Sequence, residues 1–459
     1  MGIKFGTDGW RAVIGEEFTE ENVERVTLAI GKYVIDNYGG DKKVIIGYDP
    51  RYKAKEFAEL CANILINKNF NIELSEKVVP TPVLAYNALY KNACAIMFTA
   101  SHNPPEYLGM KYIPDYAGPA TSDITDKIVE NLDKECPEGT KGAFKKVDFS
   151  VEYYKHLENL IDFKKVQKVK SNIIFDGLYS ASIGHFDEIL KKHGIPYKSL
   201  HMEHDTNFGG KMPDPKPEYL KELIELVKNE PNSIGMANDG DADRFGVINE
   251  AGEYVSPNEI ISILLKYLVK KGYKGSVVKT VGSSILIDNI AHALGVDVIE
   301  TAVGFKHVGE AMRNNLVIIG GEESGGLSIQ NHIPEKDGLL ANLLVLEVMG
   351  DTGRSLVELQ QEIYELGGKF YNKRIDLKKS DANEINTVMD KVRGLVSLGD
   401  YEVTDKDFKD GIKLMFGDKA KILVRPSGTE PLLRIYFEAD SSEKIKELQQ
   451  ELDKIEKIL

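Results

Sequence analysis

Three times along this chain a short β-rich run ends in a polar loop crowded with glycine or proline. Cys94–Thr99 leads into Ala100-Ser101-His102-Asn103-Pro104-Pro105, and Ser233–Ala237 leads into Asn238-Asp239-Gly240-Asp241. Leu316–Ile319 leads into Gly320-Gly321-Glu322-Glu323-Ser324-Gly325-Gly326. Strand-like runs alternating with helical stretches predict α/β layers. Ligands of open α/β sheets bind beyond the carboxyl ends of strands, so these loops are where chemistry is expected.

The local signals agree. Thr19 is suited to cap a helix over Glu20–Asn37, closed by Gly39-Gly40, and Pro82 suits a helix's first turn. Strands are expected at Lys43–Tyr48, Ile72–Val79, Asn172–Asp176, Ser276–Val281 and Asp297–Glu300. Helices are expected at Lys55–Asn67, Pro217–Asn229 and Ser284–Leu294. After Lys369 the texture changes to an α+β module, with strands near Lys373–Leu377, Gly411–Phe416, Ala420–Val424 and Leu433–Glu438. The expected division is 1–150, 151–255, 256–369 and 370–459, within a chain of 459 residues that is too long for one core.

A net charge of −14 argues against nucleic acid and anionic membrane as partners. It leaves room for a small anionic substrate where a few Arg and Lys converge. No apolar run approaches the ~18 residues of a membrane span, and the start of the chain carries no signal-peptide pattern, so the cytoplasm is the expected location. Cys61, Cys94 and Cys136 show neither disulfide nor zinc spacing.

The loops carry distinct chemistry. Pro104 and Pro105 stiffen a turn that presents Ser101 as a nucleophile, with Lys111 ten residues on to activate it or hold a phosphate; a purely capping turn is the plain alternative. Asp239, Asp241 and Asp243 alternate around Gly240, which suits one hard cation such as magnesium, and close carboxylates repel without one. Glu322 and Ser324 can bond sugar hydroxyls, Thr301–Lys306 brings another lysine to a strand end, and Arg425-Pro-Ser-Gly-Thr-Glu-Pro431 can cradle a phosphate. Arg11 lies in the glycine-rich Phe5–Arg11. Nucleotide P-loop, zincin and dinucleotide signatures do not occur.

In this order FGTDGWR, TASHNPP, DGDADR, GEESGG and RPSGTEP resemble the α-D-phosphohexomutase family over essentially the whole chain. The resemblance implies three topologically similar α/β domains and a smaller C-terminal α+β domain around a central cleft. It implies that Ser101 is the phosphoserine and that Asp239, Asp241, Asp243 and the Ser101 phosphate hold Mg2+. Arg11 and Arg244 would lie near that phosphate, and Glu322 and Ser324 would read sugar hydroxyls. Arg425, Ser427, Gly428 and Thr429 would hold the phosphate that stays on the sugar. A phosphoryl group would pass from Ser101 to a sugar monophosphate and return from the bisphosphorylated intermediate, with a glucose 1,6-bisphosphate-type activator, and Lys111, His102 and Lys306 are the candidates to move the proton.

The chain departs from mannose and glucosamine members by carrying Gly326 where they usually have histidine, and Phe305-Lys306 where some have histidine. These residues and G-E-E-S favour glucose, then mannose. A phosphoglucosamine mutase and a serine-nucleophile metal-dependent phosphatase are the alternatives, in a monomer or homodimer.

Overall fold

The computed structural model describes residues 3–6, 8–39, 42–137, 142–427 and 432–457. The strand–loop rhythm becomes three sheets built on one plan. In the first, Cys94–Phe98 lies parallel to Val44–Tyr48 and antiparallel to the strand that follows it, Tyr107–Ile113. In the second, Ser233–Asn238 lies parallel to Asn172–Asp176 and antiparallel to Phe245–Ile248. In the third, Val317–Gly321 lies parallel to Ser276–Thr280 and antiparallel to Leu327–Ile329. Val44–Tyr48, Asn172–Asp176 and Ser276–Thr280 each also pair in parallel with the strand that follows them, at Ile72–Ser75, Tyr197–Leu200 and Val298–Thr301 respectively. Each chemistry-bearing loop is therefore the connection at which a parallel sheet turns antiparallel.

The C-terminal module follows another plan. Its sheet is antiparallel throughout, in the order Tyr371–Lys378, Leu432–Ala439, Ala420–Pro426, Ile412–Met415 and Asp405–Asp407. Arg425 and Ser427 stand at the end of the third of these strands, where Ser427 N donates to Leu432 O at 2.8 Å.

Local chemistry sets the helices. Thr19 Oγ1 accepts from Asn22 N at 3.3 Å to open the helix Glu20–Tyr38. Ser256 and Glu259 form a reciprocal capping box at the start of Pro257–Lys270. Asp337 Oδ1 accepts from Leu340 N at 2.9 Å, capping Gly338–Thr352. That last helix is apolar nearly all round and accordingly buried, packed in one continuous core with residues of the first, second and third sheets. The sheets are thus cemented to each other, which holds their loops in fixed relation.

Several expected boundaries shift. The strand from Ile72 stops at Ser75, where Ser75 Oγ turns back to donate to Lys77 O at 2.7 Å. The helix expected from Pro217 begins at Lys221, because residues 216–219 close a tight turn in which Tyr219 N and Leu220 N both donate to Lys216 O. No helix in the described residues is long and apolar enough to cross a membrane.

Candidate active site

Ser101 stands just past the strand Cys94–Phe98 with φ of 52°, a left-handed conformation that costs an L-residue about 1–2 kcal/mol. A buried arginine holds it there. Arg51 donates to Ser101 O at 2.6 Å, Asn103 O at 2.7 Å, Pro104 O at 2.8 Å and Tyr107 O at 3.1 Å. Asp49 pairs with Arg51 Nε at 3.3 Å and accepts from Thr99 Oγ1 at 2.6 Å, and Thr99 Oγ1 in turn accepts from Ser101 N at 2.8 Å. The turn is clamped from within, leaving the hydroxyl as the group on offer.

That hydroxyl donates to Asp239 Oδ2 at 2.7 Å, and His102 Nδ1 lies 3.3 Å from it. The second sheet's loop reaches the first because residue 240 has no side chain: a Cβ there would sit 2.3 Å from Ser101 O. Asp241 is drawn in the same way, accepting from Thr81 Oγ1 at 2.6 Å while its carbonyl accepts from Thr81 N at 2.9 Å. Asp239, Asp241 and Asp243 are all buried, each offering an oxygen within 4.8 Å of the others.

The donor set fits a hard cation. Asp241 Oδ1 and Asp243 Oδ1 are buried without a hydrogen-bond partner among the described residues, an arrangement that is costly unless something positive binds there. Burial, reinforced by Asp243 and Asp241, pushes the Asp239 carboxyl well above the ordinary carboxylate range. Burial, the largest single influence, works against ionised Asp241, but the charge and hydrogen bond of Lys111, the Thr81 hydroxyl and Lys336 together outweigh it and bring that carboxyl down to about 2.

Lys111, on the strand Tyr107–Ile113, is enclosed by acids. It pairs with Asp8 Oδ2 at 2.8 Å, Asp241 Oδ2 at 2.8 Å and Asp243 Oδ2 at 3.2 Å. Burial alone would discharge it; Asp241, Asp8 and Asp243 reverse that and hold it firmly as a cation. A second buried lysine, Lys336, meets Asp243 Oδ2 at 3.1 Å and Asp8 Oδ2 at 3.5 Å. Its stem runs through the space a side chain at 326 would need, 2.4 Å from the Cβ that Gly326 lacks. The space beside Gly326 is therefore filled by Lys336.

The other cations sit around the serine loop. Arg11 donates to Asn103 Oδ1 at 2.7 Å and Ala100 O at 3.2 Å. Arg244 N donates to Asp239 Oδ1 at 2.9 Å, and its guanidinium faces Asp214 at 3.8 Å. Burial, and then Arg244, Arg11, Lys216 and Arg51, hold the His102 imidazole well below its usual range, so it is neutral. In a chain of net charge −14 this one loop is ringed by positive groups, which is what an anion needs.

The third loop joins through backbone: Phe245 N donates to Gly325 O at 3.0 Å. Glu322 Oε1 accepts from Gly304 N at 2.9 Å, and Glu323 Oε2 accepts from Thr280 Oγ1 at 2.7 Å. Ser324 lies in the turn between them and Gly325. Lys306 is placed differently from the other candidates, its amine donating to Ser122 Oγ at 3.0 Å on an exposed helix of the first domain. Arg425 pairs through Nε with Asp410 Oδ2 at 2.9 Å. Gly428 and Thr429 lie outside the described residues.

Sequence reasoning passed over Arg51, Asp49, Asp8, Lys336 and Asp410. Lys336 had a usable signal, a buried-looking Glu335-Lys336-Asp337 directly before a long apolar helix. The partners of Arg51 are backbone carbonyls, and they leave no mark in sequence.

Comparison with known proteins matches this arrangement throughout. Residues 2–138, 151–252 and 256–366 match, in turn, the alpha/beta/alpha domains I, II and III of phosphoglucomutase/phosphomannomutase, and residues 374–455 match its C-terminal domain. A Thermococcus kodakarensis phosphoglucomutase/phosphomannomutase is 29% identical, with 97% of each chain covered. A Methanococcus maripaludis phosphoglucosamine mutase is 30% identical, with 96% of each covered. Among solved structures, a Thermus thermophilus protein that bears a provisional phosphomannomutase name superposes with a TM-score of 0.89 at 31% identity, covering 99% of both chains. Fold and relatives together define a phosphohexomutase, an isomerase of sugar phosphates. The chain belongs to the phosphoglucomutase/phosphomannomutase family in all four of its domains.

Proposed function

We propose that the chain interconverts hexose 1-phosphate and hexose 6-phosphate through a phosphoserine at Ser101, with glucose the preferred sugar and mannose accepted less well. The observation that carries the reading is the Ser101 hydroxyl 2.7 Å from Asp239 within a buried trio of aspartates. Asp239, Asp241, Asp243 and a phosphoryl oxygen on Ser101 would hold magnesium, which when bound withdraws charge from the transferring phosphoryl group.

In the first half-reaction the P–Oγ bond of phosphoserine breaks and a bond forms from phosphorus to a sugar hydroxyl, giving a bisphosphorylated sugar. After that intermediate turns over, its other phosphoryl group returns to Ser101 Oγ. Arg11 and Arg244 offset the charge on the moving group. The sugar hydroxyl must give up a proton, and His102, neutral and 3.3 Å from Ser101 Oγ, is the best-placed acceptor. Lys111, held charged by its acids, serves as a fixed cation. Arg425, Ser427, Gly428 and Thr429 hold the phosphate that stays behind, and a hexose 1,6-bisphosphate charges Ser101 at the outset.

Gly326, with Lys336 in the space a histidine would occupy, supports glucose as the preferred sugar, as do Phe305-Lys306 and Glu322-Glu323-Ser324. The test is kcat/KM for glucose, mannose and glucosamine 1-phosphates under one set of conditions. Glucose is expected to lead glucosamine by at least about tenfold, roughly the 1.4 kcal/mol of one discriminating contact. A larger kcat/KM for glucosamine 1-phosphate would overturn the preference.

Glu322 makes the pH dependence specific. Burial first, then Glu323, pushes its carboxyl up to about 7, against Lys336, Arg244 and the Gly304 N–H. As a carboxylate it accepts from sugar hydroxyls; protonated, it loses that capacity, so KM is expected to rise as pH falls below about 7. Stability runs the other way. Between 4.5 and about 7 the folded chain keeps a proton that the unfolded chain has released, so this group's stabilisation is lost as pH rises through that window. In Glu322→Gln the Glu322 part of the acid limb should vanish. Identical acid limbs in the two proteins would remove Glu322 from sugar recognition.

A further inference from the structure

The C-terminal module is bolted to the third domain along a polar seam. Glu438 accepts from Ser284 Oγ and from Ile285 N, capping the helix Ile285–Leu294 from the neighbouring domain. Lys421 pairs with the same Glu438 at 3.2 Å and donates to Ser283 O. Lys413 pairs with Glu300, and Lys409 donates to Glu300 O at 2.7 Å. One contact in this seam differs from the rest. Asp410 Oδ2 accepts from Val303 N at 2.8 Å, and the same oxygen lies 2.9 Å from Arg425 Nε.

Val303 immediately precedes Gly304, whose N–H donates to Glu322 Oε1, and Phe305, whose ring lies under the Lys336 ammonium. Arg425 stands at the end of the strand that leads into the phosphate loop. One carboxylate oxygen therefore touches both the backbone that positions sugar recognition and the guanidinium at the phosphate loop. The contact is an ion pair beside Nε, with no hydrogen bond from that nitrogen among the described residues, so Asp410 fixes by charge where the guanidinium sits, while the Nη edge is the one a phosphate takes bidentately.

We infer that Asp410 is a positioning residue: it orients Arg425 toward the non-transferred phosphate and ties that orientation to loop 302–306, so that sugar and phosphate recognition assemble together. The inference rests on the reading of Arg425 as a phosphate ligand. It gives a specific division of effects, because Asp410 is placed to act on binding through Arg425 and not on the phosphoryl transfer at Ser101.

The experiment is steady-state kinetics with glucose 1-phosphate on the full chain for D410A, D410N, R425A and D410A/R425A, with thermal melts alongside. D410A is expected to raise KM by about 10- to 100-fold, the loss of a charge-assisted contact, with kcat changed by less than about threefold. D410N keeps an oxygen for Val303 N and loses the charge, so it should fall between D410A and the parent; it replaces D410A if the alanine variant melts early. The double variant should be no worse than R425A. If R425A raises KM strongly while neither Asp410 variant changes it beyond twofold, the positioning role is overturned and the phosphate reading stands. The positioning role is equally overturned if the Asp410 and Arg425 effects simply multiply, or if kcat falls with KM unchanged. If R425A itself leaves KM untouched, the phosphate reading fails.

Discussion

Ser101→Ala is expected to lower mutase turnover at least about a thousandfold while leaving the fold in place. The hydroxyl is the atom to which a phosphoryl group would be transferred. No other described hydroxyl donates to the aspartate trio except that of Thr81, which opens a helix and lies outside the loop that Arg11 binds. Alanine tolerates φ of 52° about as well as serine does, and Arg51 continues to hold the loop through carbonyls that the substitution leaves untouched. The stability change should therefore stay near 1 kcal/mol, the value of one hydrogen bond lost to Asp239. Intact-protein mass spectrometry after exposure to glucose 1,6-bisphosphate gives a second readout: a phosphoryl adduct on the parent and none on the variant. Turnover within tenfold of the parent, or an adduct of equal stoichiometry on the variant, would defeat the assignment of Ser101.

How far the chain could be read in advance follows from what each kind of signal records. The meeting of Ser101 with Asp239, Asp241 and Asp243 was foreshadowed in sequence because the loops that bear them contain little but residue types suited to a nucleophile and a cation site. The common plan of the three sheets was legible as rhythm, since every parallel strand before a site loop is a short apolar run. The switch to antiparallel pairing was not, because Tyr107–Ile113, Phe245–Ile248 and Leu327–Ile329 are short or interrupted by glycine. Lys111 and Lys306 looked alike as lysines at strand ends. Only tertiary packing separates them, by surrounding one with three carboxylates and leaving the other beside Ser122. Asp410 was silent for a related reason: it meets Val303, a residue supplied by another domain, and local pattern says nothing about which loops meet.

Arg51→Ala is expected to destabilise the chain by about 3–5 kcal/mol and to cut kcat by at least about tenfold, although Arg51 touches neither substrate nor cation in the proposed reaction. Its side chain is wholly enclosed beside an equally enclosed Asp49. Removing the guanidinium strands that carboxylate and takes the donors from four backbone carbonyls, those of Ser101, Asn103, Pro104 and Tyr107. Burial already raises Asp49 to about 6 with Arg51 present, so without its partner the acid would be driven to take up a proton. The loss should not stop at stability. Ser101 is held at a left-handed φ by this clamp, and a seryl oxygen freed to leave that conformation spends less time against Asp239. Arg51→Lys separates the two contributions: an ammonium keeps the charge beside Asp49 but has three donors and no fork, so it should recover much of the stability and little of the rate. Urea unfolding and kcat on the same preparations provide the check. If Arg51→Ala unfolds within 1 kcal/mol of the parent, or if the lysine variant turns over at the parental rate, the strained serine does not depend on an internal clamp and the positive φ at Ser101 must be sustained by the sheet alone.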